Sequence, residues 1–329
     1  MDNVAIIGVT GVTGQAFMEI YREKTGCIPT LYGSQRSAGK VIVHRGKTME
    51  ILPFEESQLQ GYDFLFLFSG DAFSTQWAKQ LSQQNNCTID CSGAWRLKKN
   101  VPMIIPHING IALRKCSSKL LCMPNCSTTI LLTSLWPLHC AFGLKKFSAC
   151  TYQSVSGNGK AGMDTLCHEL TLPYPLSTAI AASPYDYPIA HNIIPAIGDL
   201  HSDGHCAEEI SIARESRKVL GLSELHCDIC CARVPIHRGH SMFVSGFFGK
   251  KISVESARKI WEHDEHIALR SPYLPTPLGC LGEFRCHIGR LRLSKLHKNG
   301  ITYWVSADQL ICATALNAFR IMEMHCRSF

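Results

Sequence analysis

The chain has no long apolar run, no dense basic stripe, no internal repeat and no low-complexity segment. Its longest apolar region, residues 130–144, is interrupted by Ser134, Pro137 and His139 and is too short to span a bilayer, so no membrane partner is expected. Lys and Arg (33) outnumber Asp and Glu (26), and the net charge of +7 suits anionic ligands. The cations are dispersed, however, with nothing longer than pairs such as Lys98-Lys99, Lys145-Lys146 and Lys250-Lys251. A nucleic-acid groove needs a denser patch, so no nucleic-acid partner is expected. No secretory leader is visible, because Met1-Asp2-Asn3 runs directly into the strand-like Val4-Ala5-Ile6-Ile7, and a cytoplasmic location is expected. In that compartment the 17 cysteines are reduced thiols. Metal binding is also disfavoured. His226, Cys227, Cys230 and Cys231 lack a second C-x-x-C, and on a strand Cys227 and Cys230 point to opposite faces.

What is present is a 329-residue globular chain, 46% hydrophobic and long enough for two domains. Its most informative stretch is Met123-Pro124-Asn125-Cys126-Ser127-Thr128-Thr129, followed by Ile130-Leu131-Leu132. A short apolar strand ends at Pro124, and a helical pattern begins after Cys126. Asn125 is a good N-cap, so the Cys126 thiol falls where free backbone N–H groups and the helix dipole favour a thiolate. A nucleophilic cysteine needs such a setting, although a buried structural cysteine would also fit the motif.

Gly8-Val9-Thr10-Gly11-Val12-Thr13-Gly14 follows the first strand and precedes a helical pattern of Phe17, Ile20 and Tyr21. Strand, glycine turn and helix is the geometry that brings backbone N–H groups close to a pyrophosphate. The second strand, residues 29–32, leads into residues 33–40, which contain no carboxylate. An NAD site usually places Asp or Glu there for the ribose 2′-hydroxyl, whereas Arg36, Ser37 and Lys40 suit a 2′-phosphate and favour NADP. A solvated basic loop is the plain alternative. Strands over 63–68 and 88–90 flank a helix with Phe73, Trp77 and Leu81 on one face and Asp71 as its cap. Alternating strands and helices over about the first hundred residues indicate an α/β, doubly wound parallel sheet.

Beyond Cys126 the pattern changes. A long strand over 146–155 leads to a glycine-rich loop over 156–162, with helices at 208–220 and 254–264. Strands over 225–235, 242–248 and within 284–305 make a mixed α+β domain with a largely antiparallel sheet. A final stretch with helical apolar spacing (Leu310, Ala313, Leu316, Ile321) can pack back on the first domain.

Five separated motifs carry a family resemblance. They are the G-V-T-G-V-T-G turn, R-S-A-G-K at 36–40, P-N-C-S-T at 124–128, T-Y-Q-S-V-S-G at 151–157 and R-V-P-I-H-R-G-H-S at 233–241. In this order the chain resembles aspartate-β-semialdehyde dehydrogenase from about Val4 to Ala318. The resemblance implies a Rossmann-like NADP-binding domain over 1–125, a catalytic and dimerisation domain over 126–306, and a C-terminal helix over about 307–329 returning to the first domain. It implies reversible, NADP-dependent conversion of L-aspartate 4-semialdehyde and phosphate to L-aspartyl 4-phosphate, which serves lysine, diaminopimelate, methionine and threonine biosynthesis. A homodimer, or a homotetramer built from dimers, is implied as well.

By this reading Cys126 is the nucleophile and forms a thioester, His240 is the acid/base, and Gln153 holds the substrate beside the thiol. Arg233 grips the substrate carboxylate. Glu208 meets the substrate amino group, Arg96 the phosphate, and Asn125 joins the substrate site. Gly8, Thr10, Gly11, Val12, Thr13, Gly14, Arg36 and Ser37 hold the cofactor, with Ser156, Gly157 and Gln309 near the nicotinamide. Two positions depart from the family. Ser211 replaces the lysine of E-E-x-K-M, for which Arg214 (one turn on) or Arg238 would partly compensate. Asp308-Gln309-Leu310-Ile311-Cys312 stands where D-N-L-R-K is usual. The rival readings are an enzyme like N-acetyl-γ-glutamyl-phosphate reductase, and a non-catalytic NADP-binding relative.

Overall fold

The computed structural model describes residues 3–326, so the expected segments reaching Met1, Asp2 and 327–329 extend outside the described residues. The chain divides into two compact units. One holds residues 3–125, 218–220 and 314–326, and the other holds 126–217 and 221–313. Among the described residues no helix is long and apolar enough to cross a membrane.

The first unit opens with β1 (Val4–Ile7), buried at every residue as a central strand covered on both faces must be. Next come α1 (Val12–Lys24), β2 (Thr30–Gly33), β3 (Val41–His44), β4 (Lys47–Pro53) and β5 (Phe64–Leu67). α2 (Asp71–Gln84), β6 (Cys87–Asp90), the short α3 (Pro106–Asn109) and β7 (Leu120–Cys122) complete its main run. The seven strands are ordered β3-β4-β2-β1-β5-β6-β7, and every neighbouring pair is parallel except β3 with β4. β2 and β5 lie on opposite sides of β1, so the strand order reverses there and a crevice forms beyond the carboxyl ends.

The glycine turn sits at that reversal. Gly8 has φ +87°, and a Cβ on it would lie 2.6 Å from the Phe68 carbonyl oxygen. α1 begins at Val12, inside the motif and not after it, so Gly14 is a helical residue pressed on the turn. Asp71 is the first residue of α2, not its cap. Gly70 holds the cap position, and Asp71 Oδ1 accepts a hydrogen bond from the Gly93 N–H (2.7 Å).

The second unit begins with α4 (Cys126–Phe142), whose residues Ser127 to Leu135 are all buried. β8 (Leu144–Gln153) follows, then a 3₁₀ turn (Val155–Asn158) and α5 (Gly159–Glu169). The expected loop over 156–162 is thus a tight turn running into a helix. Gly159, at φ +64°, supplies the left-handed step between them. α6 (Ala207–Leu220), β9 (His226–Arg233), β10 (His240–Phe248), α7 (Val254–Glu262), β11 (Ile267–Leu269), β12 (Cys286–Leu293) and β13 (Gly300–Ala307) complete it.

Its six strands are ordered β11-β12-β13-β10-β8-β9. The three central pairings are antiparallel, and the outer pairs β11–β12 and β8–β9 are parallel. α4 packs on this sheet through Ser134, whose hydroxyl meets the Tyr303 hydroxyl at 2.7 Å. The Trp261 indole of α7 donates to the Ser134 carbonyl (3.0 Å). Gly246 has no side chain because Leu135 would lie 3.1 Å from its Cβ.

After β13 the chain makes a π-helical turn (Ile311–Ala315) and then α8 (Leu316–Cys326), so helix proper starts later than 307. α8 packs within the first unit. Phe319 meets Tyr21 edge-on at 6.3 Å, and Asn317 Nδ2 donates to the Ile104 carbonyl (3.1 Å).

The glycines make a testable contrast. A Cβ at Gly14 would lie 2.5 Å from the Gly8 carbonyl oxygen and 2.7 Å from Val9 Cα, whereas at Gly11 nothing comes nearer than 3.5 Å. Gly14→Ala should lose about 1–3 kcal/mol of stability in urea unfolding. Gly11→Ala should stay within about 1 kcal/mol of wild type.

Candidate active site

Cys126 is the first residue of α4 and is only partly buried, while the six residues after it are buried. The helix therefore rises from a partly exposed Cys126 into the core, with that residue at the end where the dipole is positive. The remaining residues of the second unit's site sit where three strands end or begin. Gln153 closes β8 and Arg233 closes β9, and the two are direct partners in the parallel register. His240 opens β10.

Arg233 is buried, at 4% exposure. Its Nη1 donates to the Ser154 carbonyl (2.8 Å), and the guanidinium lies where Gly157 would carry a side chain, with Nη1 2.5 Å from the missing Cβ. Burial draws its pKa below the usual arginine value, and Tyr185, Glu208 and Cys126 act in the opposite direction. Such a cation has strong reason to bind a carboxylate. Gln153 is nearly fully buried, and its Nε2 donates to Glu208 Oε1 (3.0 Å) and Thr151 Oγ1 (3.3 Å). Glu208 is thereby fixed over the ends of β8 and β9.

His240 is completely buried. Its Nδ1 accepts from the Ser154 N–H (3.2 Å) and lies 3.1 Å from Ser154 Oγ. Nε2 is buried and has no hydrogen-bond partner among the described residues. Burial first, and the Arg233 charge second, push the imidazole pKa down to about 3. It is therefore neutral at working pH. Ser156 and Gln309 are brought together: Gln309 Nε2 donates to Ser156 Oγ (2.5 Å), and Gln309 Oε1 accepts from the Gly239 N–H (2.9 Å).

In the first unit Thr10 Oγ1 lies 3.3 Å from Ser37 Oγ, so the glycine turn and the loop after β2 meet. Arg36 is exposed. Gly11 caps α1 with no side-chain hydrogen bond, and the first turn holds no acidic residue. A cleft of about 300 Å³ there is lined by Thr13, Phe68, Gly70, Asp71, Cys91, Ser92, Gly93 and Arg96. Arg96 Nε donates to the Met123 carbonyl (2.9 Å), three residues before the thiol. Asn125 belongs to this unit and is partly buried. The tight packing at Gly8 and Gly14, the uncapped helix start and the missing carboxylate fit a phosphate-bearing dinucleotide.

Both expected replacements for the lysine at 211 have other contacts. Ser211 Oγ donates to the buried Glu215 (2.9 Å). Arg214 lines a pocket with Asp203, His205, Glu209, Ala213 and Arg217. Arg238 is engaged by Asp308, through Nη2 to Oδ2 (2.8 Å) and Nε to Oδ1 (3.1 Å). Three supporting residues had no role in the sequence reading. Ser154 holds His240, and Asp308 holds Arg238 and the Gly282 N–H (2.8 Å). Glu209 accepts from the main chain of Cys206 (2.9 Å) and Cys231 (2.8 Å). Ser154 stood inside a quoted motif, and its hydroxyl beside Gln153 was the available signal.

Two family models match the chain. "Semialdehyde dehydrogenase, NAD binding domain" covers residues 3–116, and "Semialdehyde dehydrogenase, dimerisation domain" covers residues 135–312. The aspartate-semialdehyde dehydrogenase of Corynebacterium melassecola is 33% identical, over 98% of this chain and 99% of its own. The chain belongs to the aspartate-semialdehyde dehydrogenase family. The Aquifex aeolicus enzyme of that name is 29% identical over 98% of this chain and 97% of its own. A crystal structure of aspartate semialdehyde dehydrogenase II from Vibrio cholerae, complexed with ASA, superposes with a TM-score of 0.92. It is 30% identical and covers 99% of this chain and 98% of its own. The α/β architecture with its Rossmann-like first domain agrees with these family members, and the N-acetyl-γ-glutamyl-phosphate reductase reading is not favoured.

The depressed His240 pKa has a stability consequence. The unfolded histidine takes a proton below about pH 6.5, while the folded one stays neutral down to about 3. The unfolded state thus binds more protons in that window, and stability falls as pH drops through it, by at most about 1.4 kcal/mol per pH unit from this group. Chemical denaturation from pH 7 to 4 should show a steeper loss in wild type than in His240→Asn.

Proposed function

We propose that the protein catalyses the reversible, NADP-dependent reductive dephosphorylation of L-aspartyl 4-phosphate to L-aspartate 4-semialdehyde. The observation that carries this reading is the clustering of Gln153, Arg233 and His240 at adjoining strand ends, with Glu208 bonded to Gln153. Cys126, in the same unit, is among the groups that act electrostatically on Arg233. The product feeds lysine, diaminopimelate, methionine and threonine biosynthesis. A cytoplasmic setting suits a reaction that depends on one reduced thiol among 17 free cysteines.

Cys126 thiolate attacks the acyl carbon, a C–S bond forms, and the C–O bond to phosphate breaks, leaving a thioester and inorganic phosphate. The glycine turn would hold a nicotinamide cofactor, which would supply the hydride. The resulting thiohemiacetal on Cys126 then collapses, with His240 handling the proton and the C–S bond breaking to release the aldehyde. Arg233 binds the α-carboxylate in a bidentate grip, Glu208 takes the ammonium, and Gln153 orients the reacting carbonyl. Arg96 and Asn125 are assigned to the phosphate-bearing end of the substrate. Ser156, Gly157 and Gln309 serve the nicotinamide side.

Residues 1–125 with the C-terminal helix form the NADP-binding domain in this reading, and 126–306 the catalytic and dimerisation domain. The preference for NADP over NAD rests on Arg36 and Ser37 in a loop without a carboxylate. Assembly as a homodimer, or a homotetramer of dimers, is supported by the match to a dimerisation domain and by an aromatic patch. Tyr152 and Trp304 stack at 5.3 Å on a sheet face where they and Phe243 are only partly buried.

Two measurements test the reading. The purified protein should reduce NADP in the presence of aspartate semialdehyde and phosphate, and Cys126→Ala should reduce the rate to background. Activity only with the N-acetylated glutamate analogue would overturn the substrate assignment. Arg36→Ala should raise KM for NADP on the order of 10-fold, as expected for loss of a charge-assisted phosphate contact, and leave KM for NAD nearly unchanged. A parallel rise for both cofactors would assign Arg36 a merely structural role.

A further inference from the structure

The hydrogen bonds around His240 run in one direction. The Gly239 N–H donates to Gln309 Oε1 (2.9 Å), which fixes the amide so that Gln309 Nε2 donates to Ser156 Oγ (2.5 Å). Ser156 Oγ lies 3.0 Å from Ser154 Oγ, and Ser154 Oγ lies 3.1 Å from His240 Nδ1. The Ser154 main-chain N–H points at the same ring nitrogen (3.2 Å). A main-chain N–H can only donate, so in this arrangement Nδ1 accepts and the imidazole proton resides on Nε2. Ser154 and Ser156 are both buried, so water does not compete for these contacts.

We propose that Ser154 is the positioning residue that sets the protonation state of His240. Its N–H holds the resting ring as the neutral Nε2–H tautomer, and its hydroxyl can reverse to accept a proton carried on Nδ1. This inference rests on His240 being the acid/base of the reaction proposed above.

The two Ser154 groups have opposite consequences. With only the N–H on Nδ1, the ring could donate from Nε2 but could not take up a proton there, because Nε2 already carries one. Neutral Nε2–H suits donation of a hydrogen bond to a developing oxyanion. To receive a proton at Nε2, the ring must carry its other proton on Nδ1, facing the Ser154 N–H. The Ser154 hydroxyl supplies an acceptor there, and the Gly239 main chain, whose hydrogen bond to the ring also favours its protonated form, does not replace it. Ser154 Oγ turns from donor to acceptor for Nδ1–H, and its own hydrogen swings to Ser156 Oγ. These are hydroxyl rotations and break no covalent bond. Arg233, the charged group nearest His240 in effect, opposes the doubly protonated ring. That makes an acceptor on Nδ1 more necessary.

The tests separate this proposal from the one it rests on. Ser154→Ala keeps the N–H and loses the hydroxyl, so the ring is locked in the Nε2–H form. Its kcat should fall roughly 10–100-fold, within the range general acid–base catalysis contributes, with KM for aspartate semialdehyde unchanged. Ser154→Thr, which restores a hydroxyl, should recover most of the rate. Histidine ¹⁵N NMR of the wild-type protein should show His240 with Nε2 protonated and Nδ1 unprotonated at neutral pH, a reading that needs no variant to fold. A protonated Nδ1 at rest, or a Ser154→Ala enzyme within about twofold of wild-type kcat, would overturn the proposal. If instead Cys126→Ala remained active, the reaction assignment itself would fail, whatever Ser154 does.

Discussion

A buried guanidinium organises the second unit. Arg233 is nearly sealed from solvent, and taking such a charge out of water costs several kcal/mol unless the surroundings answer it. They do so through the Ser154 carbonyl and the fields of Tyr185, Glu208 and Cys126. The cation also shapes its neighbours. It occupies the volume a side chain at Gly157 would need, and its charge helps keep His240 neutral. One arginine thus ties the end of β9, the turn after β8 and the protonation state of His240 into one arrangement.

The parallel pairing of β8 with β9 makes this possible. Register places Gln153 opposite Arg233, so both side chains end at one edge, and antiparallel β10 begins its run with His240 at the same edge. Side chains carried at strand ends are held by the ladder and move little, which suits a site that must align a nucleophile, a carboxylate clamp and a proton carrier. α4 adds Cys126, the proposed nucleophile, at its own first residue. Its next three turns are anchored in the core through Ser134, Tyr303 and Trp261.

Ser211 donates to buried Glu215, Arg238 is engaged by Asp308, and Arg214 lines the pocket that also holds Arg217. A cation facing Glu215 on that side of α6 would also have changed the balance of a buried carboxylate. The exchange of lysine for serine is therefore a change in an internal hydrogen-bond network as well as in ligand charge.

Much of this was legible in the residues themselves. Strand, glycine turn and helix could be read because glycine is required wherever backbone packs on backbone, as at Gly8 and Gly14. Cys126 could be placed at a helix start because proline, an N-cap residue and an apolar run are local signals. Motifs named Gln153, Arg233 and His240 but not their geometry. The glycine-rich segment at 156–162 read as a loop, since glycines signal turns and hide a helix that starts among them. Helical spacing puts Arg214 one turn from Ser211, but it does not say which pocket the side chain enters, and Arg214 lines the one that also holds Arg217. The role of Ser154 and the neutrality of His240 belong to tertiary structure alone. Both arise from burial and from contacts between residues 86 positions apart in sequence, which no local pattern encodes.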